Sequence, residues 1–204
     1  MRHLHSEALG DFAAIYDSDV ELINVARPET KALTALAEQL STDRQVVAAQ
    51  WQQAHDDADV TLRELSPHIE EEGVRALNEE ILELGDVLHT LLGCERIGVR
   101  LATLNMPMCP RFHVDQIPCR LLSTISGPAT QWIPNDDVDR DLFANRNDDT
   151  LPVRPGKTFQ QLSAGSWALL KGGSWDDSFS GVVHRSPHQS DERLLLSLDP
   201  IFNS

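Results

Sequence analysis

Apolar positions in the first hundred residues recur with helical spacing, whereas those of the second half fall into short runs cut by Gly, Pro, Ser and Asn. A short strand is predicted at Val20 to Val25. Pro28 then stands where a helix begins, and Ala32, Leu33, Leu36 and Leu40 form its apolar stripe. Ser41, Thr42 and Asp43 offer capping oxygens for a following helix that carries Val46, Val47, Trp51 and Ala54. The clearest helix runs from Glu70 to Arg96. Its seam of Val74, Leu77, Ile81, Leu84, Leu88 and Leu91 alternates steps of three and four residues, with Glu79, Glu80, Glu83 and Asp86 mostly off it. That seam suits either packing against the rest of the chain or a homodimer through the helix around Val74 to Leu91.

From Ile97 onward the predicted strands are Val99 to Leu104, Arg111 to Asp115, Arg120 to Ile125, Thr130 to Ile133, Ser166 to Leu170, Gly181 to His184 and Arg193 to Leu198. Many short strands separated by turn residues predict a sandwich or closed barrel rather than a parallel sheet. The expected fold class is therefore α+β: a mainly helical region over 1–97 packed on a β-sandwich or closed, jelly-roll-like barrel over 98–204. The aspartate-rich stretch from Asn135 to Thr150 reads as a rim loop.

Hydrophobic residues make up 41% of the chain and charged residues 24%, as in ordinary globular proteins. No apolar run approaches the ~20 residues that span a bilayer. The N-terminus lacks the apolar core of a signal peptide, and three cysteines are too few for a disulfide framework, so a cytoplasmic setting is expected. A net charge of −15 with no basic stripe argues against a nucleic-acid partner and favours cations or small neutral or basic ligands.

The candidate chemistry centres on Cys109-Pro-Arg-Phe-His113-Val-Asp115. Residues two apart on an extended strand share a face, so His113 and Asp115 can both point inward. A second imidazole from a distant strand completes a facial triad with open coordination positions, and His184, in Gly181-Val-Val-His-Arg-Ser-Pro187, suits that place. The competing readings are a hydrogen-bonded His–Asp pair without metal and a zinc site that recruits Cys109 or Cys119. His188 reads as a loop residue, His3 and His5 as part of a disordered terminus, and Trp132, Trp167 and Trp175 as core or pocket walls.

The order of features around these residues resembles the double-stranded β-helix of iron(II)- and 2-oxoglutarate-dependent dioxygenases over about Val99 to Pro200. The His-x-Asp is followed by Gly127-Pro-Ala-Thr-Gln-Trp132, then a glycine turn into Gly165 to Leu170, then His184 and the basic Arg193. CPRFHVD with HRSP downstream is also similar to a bacterial family of unknown function whose members neighbour zinc-responsive genes. The first resemblance implies iron(II) on His113, Asp115 and His184. It also implies that Arg193 holds the distal carboxylate of 2-oxoglutarate, with Thr124 or Ser126 adding a hydroxyl. The chain departs from that pattern where Leu195 replaces a frequent serine and where no cosubstrate-binding tyrosine is available, Tyr16 being the only tyrosine.

The expected function is hydroxylation of an unknown small molecule or protein side chain, chosen at the rim by the acidic loop and Trp175-Asp176-Asp177. The alternative is a non-enzymatic zinc- or other metal-binding cupin in metal homeostasis.

Overall fold

The computed structural model describes residues 1–27, 30–42, 48–57, 70–145, 150–188 and 192–202. Among the described residues ten strands form two sheets: β1 (Arg2–Ser6), β2 (Val20–Ala26), β3 (Ala48–Ala54), β4 (Arg96–Leu104), β5 (Cys119–Ser126), β6 (Gln131–Ile133), β7 (Gln160–Gln161), β8 (Ser166–Lys171), β9 (Val183–Arg185) and β10 (Arg193–Ile201). The large sheet has seven strands in the order β1-β2-β8-β5-β10-β4-β3, and the small one has three in the order β7-β6-β9. Helices α1 (Lys31–Thr42) and α2 (Glu71–Leu92) cover the outer face of the large sheet, and a short α3 (Arg140–Ala144) lies near the small sheet.

The central strands read as continuous apolar runs because both of their faces are buried. On β8, Trp167 and Leu169 face the helices while Ala168 and Leu170 face the small sheet. On β10, Leu194, Leu196 and Leu198 face the helices, leaving Leu195 to the inter-sheet side. Arg193, Ser197 and Asp199 alternate with those leucines, so they share the Leu195 side. The large sheet is thus the middle layer, and its inner face carries the polar groups of the site.

The expected strand at Val20 to Val25 is β2, and Leu33, Leu36 and Leu40 of α1 are buried. Pro28, where that helix was expected to begin, lies outside the described residues. The α2 seam is buried from Val74 to Leu88 within this core. The face that would join a second copy is therefore covered by the chain's own sheet. Helix α2 stops before Arg96 because Gly93 adopts φ 68° and donates its N–H to the His89 carbonyl at 2.7 Å, a left-handed cap.

Several expectations need correction. Trp51 and Ala54 lie on strand β3, not on a helix; Val46 and Val47 fall outside the described residues. Residues Ala48–Ala54 pair antiparallel with β4 throughout, from Ala48 opposite Ala102 to Ala54 opposite Arg96. Without β3 the β4 backbone would end the sheet with unpaired donors and acceptors, so tertiary pairing overrides the helical spacing. β1, expected to be disordered, is a parallel partner of β2 that brings His3 onto Trp132. The first 97 residues thus contribute three strands to the large sheet, and the expected boundary between 97 and 98 falls inside β4.

Arg111 to Asp115 is not a ladder strand: only His113 bridges to β9, and Pro110 supplies no N–H. The acidic stretch is folded where described. Asp139 caps α3 by accepting from the Asp141 and Leu142 N–H groups, and Phe143 joins a cluster with Ile133, Val138 and Val183 on the outer face of the small sheet. Among the described residues no helix is long and apolar enough to cross a membrane.

Candidate metal centre

Strand β9 places His184 by pairing with β6 on one edge, where Trp132 stands opposite His184. On the other edge His113 and His184 each donate a backbone N–H to the other's carbonyl at 2.9 Å. Two residues exchanging both bonds point their side chains to the same face, and the imidazole centroids lie 4.5 Å apart. Asp115, two positions beyond His113, joins them there. Its Oδ1 is 3.8 Å from His113 Nε2 and its Oδ2 is 3.2 Å from His184 Nε2.

Segment 113–118 is held in place by a close approach of backbone. Gly173 donates its N–H to the Asp115 carbonyl and Gly172 to the Pro118 carbonyl, both at 2.8 Å. A Cβ on Gly172 would stand 1.9 Å from the Ile117 carbonyl oxygen, so only glycine fits.

Potential ligand atoms of His113, Asp115 and His184 all lie within 4.8 Å of one another. Each Nδ1 sits 3.0 Å from a backbone carbonyl, Arg111 for His113 and Val182 for His184. A carbonyl can only accept, so both Nδ1 atoms carry protons, and it is Nε2 of each ring that is turned toward the carboxylate. Three electron-rich groups thus face one point, an arrangement that a cation completes. Burial, with the His184 charge second, lowers the His113 pKa and disfavours a proton as that cation.

Arg120 braces the carboxylate. Its Nη1 donates to Asp115 Oδ2 at 2.8 Å, while Nε and Nη2 form a two-bond fork on Asp199, both at 2.7 Å. Burial opposes ionisation of Asp115, but the His184 hydrogen bond and the charges of His184, Arg120 and His113 outweigh it and hold the carboxyl at about 2. Oδ1 is left clear of the arginine. Sequence reasoning missed Arg120 and Asp199 as site residues. The available signal was a charge at the head of an otherwise uncharged strand and another near the end of β10.

Arg193 lies beyond the triad at the start of β10, 4% exposed. Nη2 donates to Ser186 Oγ at 3.1 Å, and Nη1 is buried with no hydrogen-bond partner among the described residues. Burial lowers its pKa to about 10, with the nearby Cys109 acting in the opposite direction. A buried guanidinium nitrogen without a partner is costly unless an anion meets it. The hydroxyl on Arg193 is that of Ser186. Thr124 is buried in β5 opposite Leu195, and Ser126 stands opposite Leu194.

The cysteine alternatives do not assemble, because no cysteine joins the ligand cluster among the described residues. Cys109 is exposed; Cys119 is buried, and burial pushes its thiol up to about 12. His188 lines a cleft beside His113 without entering the cluster. Trp132 is buried between the sheets, Trp167 under the helices, and Trp175 packs at a tilt against Tyr16 with ring centroids 5.4 Å apart.

A family described as "Protein of unknown function (DUF1826)" matches residues 6–199. No curated protein matches the chain at the sequence level. Among solved structures, the dioxygenase for auxin oxidation 1 from Arabidopsis thaliana, in its 2-oxoglutarate binary complex, superposes with a TM-score of 0.62 at 7% identity, covering 100% of this chain and 94% of that one. The rice dioxygenase for auxin oxidation gives 0.57 at 12% identity over 98% and 83% of the two chains. A putative oxygenase from Shewanella oneidensis gives 0.54 at 12% identity over 98% and 90%. These likenesses show the fold: the chain shares that of the iron(II)/2-oxoglutarate dioxygenases.

Proposed function

The chain belongs to the DUF1826 family, and we propose that it is an iron(II)- and 2-oxoglutarate-dependent oxygenase. One observation carries this reading: the Nε2 atoms of His113 and His184 converge on the Asp115 carboxylate at one point between the sheets. Two imidazoles and one carboxylate form the donor set of open-site non-heme iron, and they leave coordination positions free. The shared fold and the buried, half-partnered Arg193 support the same reading.

The residues present fit both implied groups. Metal would rest on His113, Asp115 and His184, and the orphaned Nη1 of Arg193, beside the Ser186 hydroxyl, would take a carboxylate oxygen of 2-oxoglutarate. Bound iron and 2-oxoglutarate supply the oxidising chemistry, oxygen activation coupled to oxidative decarboxylation.

The protein's own work is positional. The Arg111 and Val182 carbonyls fix the tautomers of the imidazoles. Arg120, clamped by Asp199, keeps Asp115 ionised and oriented. Trp132, Leu122, Leu170 and Leu195 wall the inter-sheet space with apolar surface that excludes water.

The test is succinate release from 2-oxoglutarate under air with added iron(II) and ascorbate. Iron-dependent succinate that disappears in His184→Ala supports the proposal. Metal analysis finding zinc alone, with no succinate after iron is supplied, would overturn it in favour of metal storage or delivery.

A further inference from the structure

A cleft of about 1100 Å³ opens beside the metal centre and meets it at His113. It runs along the outer face of the small sheet. His184 points between the two sheets, so its neighbours Val183 and Arg185 point the opposite way, and Val183 packs with Phe112, Val114 and Phe143 there. The lining combines apolar surface from Phe112, Phe143, Leu151 and Pro152 with the cations Arg111 and Arg185. Among the described residues no aspartate or glutamate lines it, although the chain carries a net charge of −15.

Arg185 is held as a fixed plate. Its guanidinium carbon lies 4.3 Å from the Phe112 ring centroid and 5.0 Å from that of Phe159. Its Nε donates to Gln131 Oε1 at 2.8 Å. The two rings, tilted 48° to each other with centroids 6.1 Å apart, flank the guanidinium on one side and Gln131 holds its Nε edge, while the terminal nitrogens have no hydrogen-bond or ion-pair partner among the described residues. Burial lowers its pKa, as expected for a partly dehydrated cation without a counter-charge.

We propose that this cleft binds a small organic acid with an apolar, ring-sized body, its carboxylate paired to the terminal nitrogens of Arg185 and its body lying along Phe112 and Phe143 toward His113. A planar fork already immobilised by two rings loses little entropy on pairing with a planar carboxylate. A cleft of this size, mostly apolar with few convergent polar groups, is of the kind that holds small ligands. As an assignment of substrate class it rests on the oxygenase reading; as a binding site it stands on the cleft alone.

The experiment is calorimetric titration of the full-length protein with 2-naphthoate and with its uncharged amide, 2-naphthamide. The naphthoate is expected to bind about tenfold or more tightly than the amide, the usual gain from a charge-assisted pair. Arg185→Gln should erase that preference while keeping the wild-type thermal midpoint and Mn(II) affinity; Arg185→Lys, which keeps the charge and loses the fork, should retain part of it. Equal affinities, no heat from either probe, a preference that survives Arg185→Gln, or displacement of naphthoate by 2-oxoglutarate would each overturn the proposal, the last by moving the anion to Arg193. Naphthoate binding through Arg185 in a protein that releases no succinate would sustain the cleft and sink only the oxygenase reading.

Discussion

His113 and His184, far apart in sequence, exchange backbone hydrogen bonds in both directions at 2.9 Å, and this single bridge sets their imidazoles side by side. The metal site therefore depends on one backbone bridge at the edge of β9.

Arg120 does not touch the metal point, yet it fixes Asp115 through one bond at 2.8 Å and is itself fixed by Asp199. Arg120→Gln should weaken Mn(II) binding about 10- to 100-fold, the range for groups that orient metal ligands. Asp199→Asn should weaken it less, because Arg120 keeps its bond to Asp115. Titration of the two variants checks the order, and an unchanged affinity for Arg120→Gln would remove the bracing role.

Arg193→Gln should raise the KM for 2-oxoglutarate by about tenfold or more, the value of a lost charge-assisted bond, with Mn(II) affinity unchanged. Steady-state succinate release alongside a metal titration separates the two effects. A loss confined to metal binding would contradict the assignment.

Beneath α2, Glu80 forms a buried ion pair with Arg27 at 3.2 Å and accepts from Trp167 Nε1 at 3.1 Å and from the Ser123 hydroxyl. Glu80→Ala leaves Arg27 charged and unpaired in the core, which should cost about 3–5 kcal/mol. Urea denaturation measures it. A loss below about 1 kcal/mol would place the pair in the range of exposed salt bridges.

Glu21 is buried beneath Asn135, and burial raises its carboxyl above the ordinary 4.5 despite the hydrogen bonds from Asn135. A raised acid favours the folded state when protonated. Its contribution is complete below the ordinary value and is lost as pH rises through the folded value. Between about pH 4 and about pH 7, Glu21→Gln should therefore gain thermal stability relative to the parent protein as pH increases. A constant difference across that range would contradict the sign.

The sequence made the centre legible because two of its signals survive translation into three dimensions. Alternation put His113 and Asp115 on one face, and helical spacing marked Leu77, Ile81, Leu84 and Leu88 as buried. Leu84→Asp, which would break a dimer seam, should instead unfold the chain. Strand β3 was hidden because Val46, Val47, Trp51 and Ala54 fit a helix, and only the open edge of β4 makes Ala48–Ala54 extended. Arg185 and Arg120 were invisible for a related reason: their roles come from Phe112, Phe159 and Asp199, which local pattern cannot bring to them.

The central claim is that His113, Asp115 and His184 share one metal ion. Anomalous diffraction from crystals grown with Mn(II) tests it most directly. The expected result is one strong peak about 2.1 Å from both Nε2 atoms and an Asp115 oxygen. No peak among the three side chains, or a peak held by Cys109 or by surface carboxylates instead, would contradict it.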